Sequence, residues 1–115
     1  MDDPGEQAEV EAGAARIALA QGRYRHALRL AETVDAQCLH SRERRARHYL
    51  TVATAHARDG NCPSTVFSLL KAEDACPEEI RFNPEARHLV QDLMRRDNAL
   101  VRHDVWALAE RSGLA

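Results

Sequence analysis

The segment HSRERRARHYL, residues 40–50, sets four arginines and two histidines in eleven positions. Guanidiniums clamp carboxylates and phosphates through paired hydrogen bonds. Imidazoles ligate metals or carry protons. An amphipathic helix also wears such charges as a plain wetted face. For Arg42, Arg44, Arg45, Arg47 and His48 the solvated face comes first, some arginines pairing with Glu43 or with acids of neighbouring helices. A groove for an anionic partner comes second, and a nucleic-acid surface third.

The whole-chain totals weigh against that third use. Formal charge is -2 over 115 residues, and aromatics make up only 4%. Phosphate binding wants a basic balance, and single-strand binding wants stacking rings. No direct nucleic-acid contact is expected. The basic set is Lys71 and otherwise arginine throughout.

Other chemistry is thinly supported. Cys38 and His40 with His48, or His26 with Cys38, suggest a metal, but none shows the two close ligand pairs of a structural zinc site. Cys62 and Cys76 bracket a helix that would hold them about 20 Å apart, too far to bridge. With three cysteines and no CxxC, free thiols in a reducing cytoplasm are expected. A cysteine nucleophile would need a base and an oxyanion pocket, and no glycine-rich loop lies near one. Glu78-Glu79, after Pro77, suits a helix start or loop. Neither catalysis, a metal nor a cofactor is expected. His56, on an apolar stripe, reads as a satisfied core or interface histidine.

The elements that must position these residues are helical. Composition, 44% hydrophobic and 30% charged, fits one compact domain or about three small repeats. The acidic start MDDPGEQAE has no apolar run behind it, so no secretory signal is expected, and no stretch would span a membrane. Residues 1–5 read as a disordered tail and 6–115 as one domain. Helix one runs from about Glu6 to Gln21, with Val10, Ala14, Ile17 and Ala18 at helical spacing, until Gly22 stops it. Helix two, from about Tyr24 to Ala36, buries Ala27, Leu28, Ala31 and Val34. Ser41 caps a third helix to Asp59, whose stripe is Tyr49, Val52, Ala53, His56 and Ala57. Gly60 and Asn61 end it, and Pro63 opens a fourth that Pro77 closes. Asn83-Pro84-Glu85 starts a fifth, carrying Leu89, Val90, Leu93 and Met94. Val105, Trp106, Leu108 and Ala109 mark a sixth. No period-two alternation occurs, so the fold class is all-α, with six helices in three antiparallel hairpins.

Aligning Gly22 with Gly60 reveals a repeat. Ala15 and Ala53 each lie seven residues before the glycine. Ala27 matches Thr65, Ala31 matches Leu69, and Val34 matches Ala72. This resembles the tetratricopeptide repeat (TPR), a helix–turn–helix unit of about 34 residues. The glycines here are 38 positions apart, an insertion near Gln37–Ser41. More narrowly, LHSRERRARHYLTVATAHARDG followed by LLKAEDACPEEIRFNPEARHLVQDLMRR is similar to the C-terminal TPR-like domain of helix-turn-helix regulators from filamentous high-GC bacteria. The resemblance covers residues 12–115 and implies a right-handed array of hairpins that binds a protein or peptide in a transcription-regulatory setting. The family's DNA-binding domain has no counterpart here, which implies an isolated sensor or interaction domain, or a stand-alone regulatory partner.

The resemblance also implies a groove. Counted from Gly60, Arg47, Leu50, Thr54, Ala57 and Arg58 fall on the face that TPR first helices turn inward. Counted from Gly22, so do Glu9, Ala12, Arg16, Leu19 and Ala20. Arg16, Arg47 and Arg58 would then face one another and hold a carboxylate, while Arg42 and Arg45 point outward. The family's carboxylate clamp has a lysine where this chain has Leu50, so that ligand is not implied. The alternative function is a sensor enclosing a small apolar molecule, for which Leu19 and Leu50 alone make no cluster. Trp106 caps the third hairpin in the simplest arrangement. Exposed at the array end, it would mark a homodimer or partner surface.

Overall fold

In a computed structural model, described for residues 3–115, every regular element is helical. The helices are α1 (Pro4–Ala20), α2 (Tyr24–Ala31), α3 (Arg42–Arg58), α4 (Cys62–Ala75), α5 (Pro77–Phe82), α6 (Pro84–Arg96) and α7 (Arg102–Arg111). A 3₁₀ turn at Ala36–Cys38 joins α2 to α3.

Each boundary has a local cause. All four prolines stand in the first turn of a helix, α1, α4, α5 and α6, where a missing N–H costs nothing. Side-chain oxygens of Asp3, Ser41, Asn61 and Asn83 accept from first-turn amides that would otherwise be orphaned. The hairpin glycines end their helices alike. Gly22 and Gly60 adopt φ of 79° and 75°. The residue after each donates five residues back, Arg23 N–H to Ala18 C=O at 2.9 Å and Asn61 N–H to His56 C=O at 3.0 Å. That left-handed exit needs glycine. It turns the chain within three residues, so α1 with α2, and α3 with α4, are antiparallel pairs.

Four expectations need correction. Helix α2 ends at Ala31 rather than near Ala36, and of its expected inward residues only Ala27 is fully buried. There are seven helices rather than six. The additional one, α5, lies between two prolines and is too short to show a period, yet it buries Ile80 completely. The first helix starts at Pro4 under the Asp3 cap, so residues 3–5 are not a tail; the rest of that expectation falls on residues 1–2, outside those described. Val10 and Ile17 do not face inward: they are 69% and 58% exposed. The inward face of α1 is Ala8, Ala12, Ala15 and Ala18. Methyl-sized side chains let α1 approach its neighbours where branched ones would hold it off.

The main core spans α3 to α7, built on Leu50, Leu69, Ile80, Val90, Leu93, Val105 and Leu108. A small second cluster, Ala8, Ala12 and Leu39, secures α1. Ala15, Ala27, Ala53 and Leu69 are all buried, as their register predicts. Helix α3 is enclosed on more than one side, burying Ala46, Leu50 and Ala53 and also His48 and Ala55. No described helix is long and apolar enough to cross a membrane.

Candidate functional site: an arginine-lined groove

Two helices from different hairpins and the start of a third enclose a groove of about 440 Å³. Helix α1 contributes Arg16, Leu19 and Ala20. Helix α3 contributes Arg47, Leu50, Thr51, Thr54 and Arg58 at three- and four-residue steps, one face of a helix. Asn83, the cap of α6, and Glu85 and Leu89 on that helix close it. The glycine register thus brings Arg16, Arg47, Thr54 and Arg58 together. Ala57 is not among the lining residues.

Glu9 and Ala12 stand next door. With Arg16, Arg44, Arg47 and Thr51 they line an adjoining hollow of about 310 Å³. Glu9 accepts the His40 backbone N–H at 3.0 Å and Arg44 Nη1 at 2.9 Å. The His40 amide chiefly, and Arg44 besides, hold its carboxyl below the ordinary carboxylate value against the opposing effect of partial burial. Glu9 is therefore an internal brace, tying α1 to α3, rather than a free groove acid.

The groove's cations are weakly committed. Arg47 Nη2 lies 3.3 Å from Glu79 Oε1 of α5, an exposed pair on the arginine side. Arg58 Nη1 donates to the Leu19 carbonyl at 3.3 Å. Arg16 has no ion pair or hydrogen-bond partner among the described residues. Three guanidiniums thus face one lining carboxylate, Glu85, and surface pairs such as Arg47–Glu79 are worth at most about 1 kcal/mol. A ligand carboxylate can displace them. Thr54 Oγ donates to the Leu50 carbonyl at 2.8 Å, leaving its lone pairs to accept. The arrangement suits an anion with an apolar neighbour, met by Leu19, Leu50 and Leu89.

Arg42 and Arg45 line a separate hollow with Lys71 and Asp74. Cys38 Sγ donates to Asp35 at 3.4 Å, and that bond, with some burial, raises its thiol. Burial and Glu78 likewise raise the buried Cys76 thiol. Both shifts favour the neutral thiol over the thiolate. Among the described residues, no three His, Cys, Asp or Glu side chains converge as metal ligands would.

Trp106 is not the capping contact. It is 43% exposed, while Val105, Leu108 and Ala109 carry α7 onto the core. His56 is not satisfied either: among the described residues its buried Nδ1 has no partner, and neither has Nδ1 of His48. His48 was hidden in the sequence by the arginines around it, and only its i, i+8 relation to His56 hinted at a shared face.

The α6 wall could not be read in advance, because the third pair of helices has no glycine to fix its register. No family model matches the chain, and neither curated proteins nor solved structures yield a match.

Proposed function

We propose that the chain is a TPR-like, right-handed array of about three hairpins that binds a protein segment or peptide, without catalysis. It would serve as the interaction or sensor domain of a bacterial transcriptional regulator, or as its stand-alone partner, in the cytoplasm. The matching exits at Gly22 and Gly60 and the buried pairs Ala15/Ala53 and Ala27/Thr65 support the repeat. One observation carries the binding: Arg16, Arg47 and Arg58, from two hairpins, line one groove. Concave faces of repeats hold extended segments, and guanidiniums there favour acidic ones. The same three cations disfavour the alternative, a small apolar ligand in this groove. Trp106, exposed on α7, is the second contact surface in this reading, for a partner or a second copy.

The test is titration of an array of acidic peptides, followed by anisotropy. Arg47→Ala or Arg58→Ala should weaken binding by about 1.5–3 kcal/mol, the worth of charge-assisted contacts. Arg42→Ala and Arg45→Ala should stay within about 0.5 kcal/mol of the parent. Equal losses in both pairs would refute the groove.

A further inference from the structure

A second cleft, of about 420 Å³, opens on the face of α3 opposite the groove, between the end of α2 and α4, and shares no lining residue with it. Its size lies within the range of about 300–1,000 Å³ usual for small-molecule sites.

Several polar groups of this cleft have no partner among the described residues. Ser68 is 5% exposed, yet its hydroxyl makes no hydrogen bond among the described residues. Thr65, one turn earlier on the same helix, donates to the carbonyl four residues back at 2.8 Å. His48, 7% exposed, and half-buried His56 each bury an Nδ1 that has no partner among the described residues. Each ring therefore has only Nε2 to offer a ligand. A ligand that covers the Ser68 hydroxyl without pairing it would cost roughly 1–3 kcal/mol, so what fills the cleft must offer that hydroxyl a polar partner.

The charges around it are opposed. Lys71, on α4, sets its ammonium 4.5 Å from the Phe67 ring centroid and 5.6 Å from that of Tyr49. No carboxylate pairs with it among the described residues. Across the cleft, just past α2, Glu32 is equally unpaired. Asp35 is already occupied by the Gln37 N–H and the Cys38 thiol. Leu28 and Val52 supply apolar wall between the two signs. A simple anion would be repelled by Glu32, a simple cation by Lys71, and a hydrocarbon would leave Ser68 unpaired.

We propose that this cleft binds a small zwitterion with an apolar body, of the class of aliphatic or aromatic α-amino acids. Its carboxylate meets Ser68 and Lys71, its ammonium turns toward Glu32, and its side chain lies on Leu28 and Val52. This site is independent of the groove and of the peptide reading.

Calorimetric titration of the full chain with leucine, isoleucine and phenylalanine tests it, with phenylpropanoate and phenylethylamine as ligands lacking one charge. Saturable binding of at least one amino acid is expected, with both analogues weaker by about tenfold or more. Lys71→Gln and Glu32→Gln should each weaken the bound amino acid by about tenfold or more, while Arg96→Ala on α6 leaves it as it is. Both cleft substitutions are at exposed positions, so folding is retained, and a thermal melt verifies that. Three results would overturn the proposal: no saturable binding by any of the amino acids, an analogue binding as well as its parent, or unchanged affinity in either cleft variant.

Discussion

Arg111 grips Glu73 with two parallel hydrogen bonds of 2.9 Å, Nε to Oε2 and Nη2 to Oε1, fastening α7 to α4 across 38 residues of chain. The pairing raises the guanidinium's affinity for its proton. The bidentate geometry is the favourable one, but the arginine is about half exposed, so solvent screening limits its worth. Arg111→Ala should lower stability by about 0.5–1 kcal/mol, with the coupling to Glu73→Ala shrinking in high salt. A double-mutant cycle in urea at two salt concentrations measures it; a salt-independent coupling would contradict this.

Leu69 is fully buried at the centre of the main core, and Ala53 is fully buried on the facing helix of the same hairpin. Leu69→Ala should cost about 2–5 kcal/mol through lost burial and a cavity. Ala53→Leu should cost about 1–3 kcal/mol by forcing α3 from its neighbours. Denaturant midpoints report both, and an unshifted midpoint in either would place that residue outside the packed hairpin.

At Gly60 an added Cβ would meet nothing within 4 Å, so only the backbone angle opposes a side chain. Gly60→Ala should destabilise by about 1–2 kcal/mol, the left-handed penalty, and Gly22→Ala by a similar amount. Gly60→Asn should cost less than Gly60→Ala, since asparagine tolerates that region. Equal melting temperatures for alanine and asparagine would rule out the conformational account.

Burial lowers the pKa of His48 and His56 from the ordinary 6.5, with Asp59 partly opposing the shift at His56. The unfolded chain therefore takes up these protons first as pH falls. Stability is full above 6.5 and declines below it, until the depressed folded values are reached. Glu9, Glu43 and Glu78, lowered from 4.5, add a separate loss further down, as pH falls through their folded values. His48→Gln should flatten the upper part of the curve and leave the lower. Unfolding free energies measured across that pH range decide it; an unchanged upper slope would mean that His48 is not desolvated.

What the sequence discloses depends on punctuation. Helix ends marked by Ser41, Gly60 and Asn83-Pro84 are legible because caps and turn residues act locally. The α1 and α3 walls of the groove are legible because two glycines share one turn and so fix one register. Val10 and Ile17 mislead because the larger apolar residue is assumed to point inward, whereas the close approach of α1 selects alanine. His48 misleads because arginines on either side suggest water, and only the packing of α3 on two sides removes it from solvent. The α6 wall depends on how α5 turns the chain, a tertiary matter that six residues between prolines do not encode in any period.

Helix α1 has a consequence for motion. Its buried face is Gly5 and four alanines, with nothing larger, and each alanine methyl contributes only about 0.8 kcal/mol on burial. Helix α4, by contrast, sinks Val66 and Leu69. The N-terminal hairpin is therefore the unit that opens at least cost while the rest stays folded. Backbone amides of α1 should exchange with deuterium ahead of those of α4. Because Arg16 and Leu19 ride on that helix, opening of the hairpin would remove one wall of the groove, and a ligand that spans it should be read out as slowed exchange along α1.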